Sequence, residues 1–309
     1  MRAAADELQP AAPAAAAPRE RSPWRSFAAE FAQSRLALLG LALLAAIVLA
    51  ALLAPWIAPQ NPYDLAQLDV LDSQLPPGAH SESGRTYLLG TDDQGRDMLS
   101  GILYGLRISL TVGAVSTVAA LALGLAFGLA AAYFGGWLDA VIMRVADIQL
   151  SFPAILIALI LLAALGQGAG KIIVALITVQ WAYYARTVRS AALVERQKEY
   201  VEAARALALS HSRIVLRHLL PNCLPPLIVV ATVQVAHAIS LEATLSFLGL
   251  GLPVTEPSLG LLIANGFQYM LSGKYWISFY PGVALLLTIM AINLVADQLR
   301  DILNPRLRR

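Results

Sequence analysis

Apolar residues fall into six long runs: Leu36 to about Ile57, about Ile108 to Phe134, Ala140 to Leu165, Ile172 to Tyr184, Leu224 to Phe247 and Ile277 to Ala296. All but the fourth approach or exceed the roughly 20 residues that a helix needs to cross a hydrocarbon core. The runs are unbroken and rich in Leu and Ala, whereas strands of a membrane barrel would alternate apolar and polar positions. The pattern therefore predicts six transmembrane helices in an all-α integral membrane fold. The fourth run, Ile172 to Tyr184, is short for a span.

The polar intervals divide the rest of the chain. Residues 1–34 read as an N-terminal tail, of which residues 1–22 are rich in Ala, Pro and Arg without apolar periodicity and are expected to be disordered. Residues 35–57 form a first span too long, and preceded by too long a leader, for a secretory signal. Residues 58–106 carry Pro55, Pro59, Pro62, Pro76, Pro77 and Gly78 in or beside them. This turn chemistry predicts a loop packed on the bundle rather than a self-standing domain. Residues 107–300 hold the other five spans, and 301–309 form a basic tail. No repeat of fixed period is present.

Composition sharpens this. The chain has 309 residues, is 58% hydrophobic and only 14% charged, and carries a formal net charge of +2. That balance gives no reason to expect nucleic acid as a partner, so the placement of the charges decides more. With the N-terminus in the cytoplasm, Arg2, Arg19, Arg21, Arg25 and Arg35 lie inside, with Arg186, Arg189, Arg196, Lys198, Arg205, Arg213, Arg217, Arg300, Arg306, Arg308 and Arg309. Outside remain Arg85, Arg96, Arg107, Lys171 and Lys274. The positive-inside rule then predicts both termini cytoplasmic. The lone Cys223 excludes an intrachain disulfide.

The longest late polar segment is EYVEAARALALSHSRIVLRHLLPN, residues 199–222. Glu199 to Leu209 is mostly strong helix formers, with Lys198 four before Glu202 and Glu202 three before Arg205. Ser210 can cap a second helix from His211, and Pro221 is expected to stop it where the next span begins. Adjacent Ala203 and Ala204 give the first helix a low profile on which a partner's groove could close. The pattern fits equally a solvated basic loop beside anionic lipid.

The motif EAARALALSHSRIVLRHLLPN resembles the cytoplasmic "EAA" signature of bacterial ABC importer permeases. Glu202, Ala203, Ala204, Leu220 and Pro221 match it, while Ala208 stands at the family's glycine position and His218 at its isoleucine. Ala208 either keeps its turn right-handed or carries strain of order 1 kcal/mol. Residues 89–111 (LGTDDQGRDMLSGILYGLRISLT), 241–262 (LEATLSFLGLGLPVTEPSLGLL) and the tail NLVADQLRDILNPRLRR resemble C-type subunits of dipeptide and oligopeptide importers.

The resemblance implies a type I ABC importer permease fold with a cytoplasmic coupling helix between spans four and five, in a bacterial inner membrane. It implies a second homologous permease sharing the path, two ABC ATPases and an extracytoplasmic binding protein, with peptides as cargo. Nickel, glutathione or another small solute share the subunit type. Tyr200, Glu202, Ala203, Ala204, Arg205, Leu207 and Ala208 would meet an ATPase. The chain has no GxxxxGK[ST] cradle, so it cannot hold ATP in that manner; ATP and Mg would be bound by the ATPases, and this chain would bind no cofactor. A self-sufficient channel or secondary transporter would instead favour an inverted repeat, which is not found. No nucleophile and base pair or HExxH marks an intramembrane enzyme, so no catalytic residue is assigned.

Polar residues within spans are candidates for function. Gln234 and His237, three apart, would share a face lining the path. Glu242, near the outer end of span five, would meet substrate or water. Arg144 and Asp147 are expected to pair with each other or with the interface. Gly124 and Gly128 form a GxxxG for close helix packing. In the outer loop Asp92, Asp93, Arg96 and Asp97 suggest a structural latch or a contact with the binding protein; with no His or Cys beside them and Arg96 among them, no metal site is assigned.

Overall fold

Residues 23–64, 68–81 and 84–303 are described by a computed structural model. The expected disorder of residues 1–22 and most of the basic tail lie outside them. The α-helices are α1 (Pro23–Phe31), α2 (Arg35–Ile57), α3 (Met98–Phe134), α4 (Gly136–Leu150), α5 (Ala154–Leu165), α6 (Ala169–Glu195), α7 (Glu199–Ala206), α8 (His211–Ile214), α9 (Leu220–Phe247), α10 (Leu259–Phe267) and α11 (Trp276–Leu303). A two-stranded antiparallel hairpin, β1 (Ala79–His80) and β2 (Thr86–Tyr87), decorates the loop between α2 and α3, with Ala79 opposite Tyr87 and His80 opposite Thr86.

The centre is the pair α3 and α6. Without water to expel in a bilayer, helices associate through close packing, and small residues permit it. A Cβ at Gly128 would stand 2.6 Å from Ala185 O and 2.7 Å from Val188 Cβ, and one at Gly124 would stand 2.7 Å from Trp181 O. The GxxxG therefore seats α3 on α6 within this chain. Around that pair α9 and α11 close the bundle, and α2 lies against α11 where Gly40 faces Leu294. Leu36, Leu39, Leu49 and Leu52 on α2 point away from the protein, as expected of a lipid-facing helix.

Several boundaries differ from the sequence expectation. Residues 23–31, assigned to the tail, form α1, whose Phe27 and Phe31 lie one turn apart beside Val295 and Leu299 of α11. The second long helix begins at Met98, eight residues before the expected end of the loop at 106, because Asp97 caps it by accepting from Ser100 N at 2.8 Å. The third run is no straight span: α4 and α5 meet at 92° across Ser151–Pro153. Pro153 disfavours helical backbone at Phe152 and removes a donor. The fourth run extends to a helix of 27 residues.

Pro221 does not stop a helix. His211 to Phe247 is one continuous 37-residue helix. A π-helical stretch, Val215–Leu219, precedes the proline and widens the turn against which its ring would otherwise clash. Among the described residues four helices are long and apolar enough to cross a bilayer, and the α4–α5 pair makes a fifth if counted as one broken span. Only by length does α6 supply a sixth, since Lys171, Gln180, Arg186 and Arg189 dilute its apolar character.

Candidate functional site

At the end of the bundle where α3 and α6 terminate, α7 stands against the helices as a short lever. Glu199 and Glu202 occupy its first turn, where carboxylates favour a helix N-terminus. Val201 and Ala204 are buried, 0% and 4% exposed, against Tyr133, Val188, Ala192, Ile214 and Leu219. At about 100° per residue, Ala206 falls opposite that buried pair, flanked by Glu202 and Ala203. All three are exposed, as is Leu207 at 75%. The low profile therefore comes from Ala203 and Ala206, and Ala206 is the residue that sequence reasoning missed. The 3.6 period was the signal that could have found it. Ala204, expected on the docking face, faces the core instead.

Tyr200 and Arg205 are exposed, yet each reaches back to a neighbouring element. Tyr200 Oη donates to Glu195 Oε2 at 2.6 Å and accepts from Asn222 Nδ2 at 3.1 Å, tying the start of α7 to the end of α6 and the start of α9. Partial burial and the Glu195 carboxylate push its pKa up to about 12, so the phenol stays a donor. Lys198 pairs with Glu195 at 2.6 Å rather than with Glu202. The Arg205 guanidinium lies 5.7 Å from the centre of the Tyr133 ring, whose hydroxyl shares a 2.6 Å hydrogen bond with His211 Nδ1.

The lever ends on a left-handed turn. Leu209 N donates to Ala204 O at 3.2 Å and Ala208 N to Arg205 O at 2.9 Å, the paired bonds of a Schellman cap. This motif requires positive φ at its C′ residue, and Ala208 has φ +53°. Of the two outcomes expected for Ala208, the strained one is found. Ser210 sits at the next N-cap, yet its hydroxyl faces Ser212 Oγ at 3.4 Å and caps nothing.

The acidic and basic cluster at the other end is closed. Asp92, Arg96 and Asp97 are 1%, 1% and 2% exposed, so their side chains are held inside the loops. Arg96 Nε donates to Asp92 Oδ2 at 2.6 Å and its Nη1 to Val254 O at 3.1 Å, joining the α2–α3 loop to the α9–α10 loop. Gln60 Oε1 accepts from Asp97 N at 2.6 Å, and Trp276 Nε1 donates to Thr91 O at 3.2 Å. Gly95, at φ +74°, lets the turn press on the carbonyl of Asp69, where a Cβ would collide. Asp93 is half-buried, and one of its carboxylate oxygens has no partner. Burial, then the neighbouring Asp92, raise its pKa against the opposing effect of Arg96.

On α9 the three expected path residues separate. Gln234 is buried and its backbone oxygen accepts from Gln180 Nε2 at 3.4 Å. Glu242 is 0% exposed and accepts from Ser109 Oγ at 2.7 Å and Ser246 Oγ at 2.8 Å, so it is held within the bundle. Three residues leave Gln234 and His237 about 60° apart around the helix, and the two fall on either side of the edge of its buried face. His237 is exposed, continuing through Ser240, half-buried Thr244 and exposed Phe247 as one stripe. On α4, Asp147 pairs with Arg186 rather than Arg144, and Asp139 binds Arg189 through two bonds of 2.5 and 2.6 Å.

A bundle of long apolar helices with a short helix at one end has the architecture of a membrane permease. Residues 124–309 match the family of binding-protein-dependent transport system inner membrane components, and residues 22–77 match the N-terminal transmembrane domain of oligopeptide transport permease C. The chain belongs to this permease family: it is a permease subunit of a binding-protein-dependent ABC importer. It is 44% identical over 270 residues to a Brucella suis protein named as a peptide transport system permease, covering 87% of this chain and 88% of that one. It is 40% identical to the dipeptide transport system permease protein DppC of Escherichia coli K12, covering 95% and 96%. With the Pseudomonas aeruginosa di/tripeptide permease DppC identity is 38%, covering 93% of each. A chain of the inward-facing MetNI methionine transporter superposes with a TM-score of 0.54 at 23% identity, over 66% of this chain and 97% of that one, which shows the shared type I importer fold.

Proposed function

We propose that the chain imports di- or oligopeptides across a bacterial inner membrane, with both termini and α7 in the cytoplasm. A second permease shares the path, a binding protein delivers cargo from outside, and two cytoplasmic ATPases bind ATP and Mg and hydrolyse the ATP. The observation that carries this reading is the exposed face of α7, Glu202, Ala203, Ala206 and Leu207, held out by a buried Val201–Ala204 anchor. An ATPase groove closes on the two alanines while Glu202 sets orientation. Motion of that groove reaches the spans because α7 packs on α3 and α8 and is tied through Tyr200 to α6 and α9. The names of the relatives support peptides as the cargo.

The path runs along the His237, Ser240 and Thr244 stripe rather than Gln234 and Glu242. Polar side chains on the outer face of a membrane helix are costly against lipid, which supports a water-filled path or the partner permease as their neighbour. The test is Ala203→Trp in the reconstituted complex. Transport and substrate-stimulated ATP hydrolysis should both fall at least about tenfold, the loss of roughly 1.4 kcal/mol of coupling; unchanged values for both would remove the docking role of α7.

A further inference from the structure

Behind the lever lies a cavity of about 510 Å³ lined by Tyr133, Phe134, Arg196, Arg205, His211 and Ile214, with Ala208 and Leu209 at its mouth. No carboxylate lines it. Arg196 donates from Nη1 to Ala132 O at 2.7 Å and Tyr133 O at 3.4 Å, so its cation is fixed at the end of α3. Among the described residues the Arg205 guanidinium makes no hydrogen bond or ion pair and rests on the Tyr133 ring. Two guanidinium groups and an imidazole thus converge on a space whose other walls are apolar. Phe134 is 63% exposed, and three residues on Trp137 is 75% exposed, a residue type enriched at headgroup depth in membrane proteins.

We propose that this cavity binds the phosphate of an anionic phospholipid headgroup, with the phosphate between Arg196 and Arg205 and the glycerol and upper acyl chains against Phe134 and Leu209. Guanidinium groups suit phosphate because their planar donors pair with its oxygens. An acidic side chain of an ATPase is less favoured, because Arg205 lies about 70° from the centre of α7's buried face, on the side turned toward α3 and away from Ala206. Bound lipid would brace the strained turn at Ala208 and tie the lever to the bilayer surface. The inference rests on the assignment of this end of the bundle to a membrane surface, and not on ATPase coupling or cargo.

The test uses the full-length protein with whatever subunits copurify, delipidated in mild detergent and offered phosphatidylglycerol or phosphatidylcholine, with retained lipid read by native mass spectrometry. Phosphatidylglycerol should be retained in preference. Arg205→Gln should lower that retention about fivefold, the effect of one basic group near an anionic surface, and Arg205→Lys should keep most of it. Thermal unfolding without lipid should be the same for both variants, separating lost binding from lost folding. Equal retention of the two lipids, or a preference untouched by Arg205→Gln, would overturn the proposal. So would displacement of phosphatidylglycerol by millimolar inorganic phosphate, which would make this a free-phosphate site, or by a bound ATPase, which would make it a protein contact. Loss of transport alone bears on the coupling reading and leaves this one standing.

Discussion

Ala208 holds a left-handed conformation, φ +53°, that glycine adopts without penalty and alanine does not. The hydrogen bonds of the Schellman cap impose it from both sides, so the strain cannot relax without freeing Leu209 N and Ala204 O. Ala208→Gly should therefore stabilise the protein by about 1 kcal/mol, read as a higher Tm in detergent, and an unchanged or lower Tm would show that the turn is not strained. Asp93 carries a different tension. Its folded pKa is raised, chiefly by burial, so ionisation opposes folding. The penalty is absent below the ordinary carboxylate value of about 4 and grows as pH rises through the raised value. Asp93→Asn should thus raise Tm at neutral pH, with the gain shrinking to nothing in acid. A gain that persisted or grew in acid would contradict the sign.

At the scale of elements, small residues decide how closely the helices approach. Gly124 and Gly128 leave α6 no room for a side chain, with Ala185 O and Val188 Cβ within 2.7 Å of where a Cβ at Gly128 would stand. Gly128→Val should cost about 1–3 kcal/mol or more through overpacking, seen as a lowered Tm or loss of protein from the membrane; an unaffected Tm would mean that α3 and α6 can separate freely. On α9, the exposed stripe predicts which positions water reaches. Cys223, the chain's single cysteine, is buried, so Ser240→Cys should react with a membrane-impermeant thiol reagent while Ala238→Cys, on the buried face, should not. Equal labelling would remove the path assignment. Apolar runs made α2, α3, α9 and α11 legible in the sequence, because length and hydropathy alone set a span. The right angle at Pro153, the π turn before Pro221 and the inward turn of Gln234 and Glu242 were not legible. Each depends on which neighbour a helix meets, and hydropathy does not record neighbours.

For the whole molecule, the question is how a chain without a nucleotide cradle is driven. The two ends of the bundle are built differently. At one, the Asp92–Arg96 pair, Asp97 and Trp276 lock the connecting loops together. At the other, α7 exposes a small-residue face on a buried anchor. The first is suited to holding shape, and the second to passing on a push from a partner. The EAA resemblance located the lever but placed Ala204 on its docking face and omitted Ala206, since a motif gives order along the chain and only the helix turn tells which side faces out. A photo-crosslinking residue placed in turn at Ala206 and at Ala204 in the assembled importer is the most direct test. Position 206 should crosslink to the ATPase and position 204 only within this chain. Crosslinking to the ATPase from 204 and not from 206 would contradict the docking face, and crosslinking from neither would contradict the lever itself.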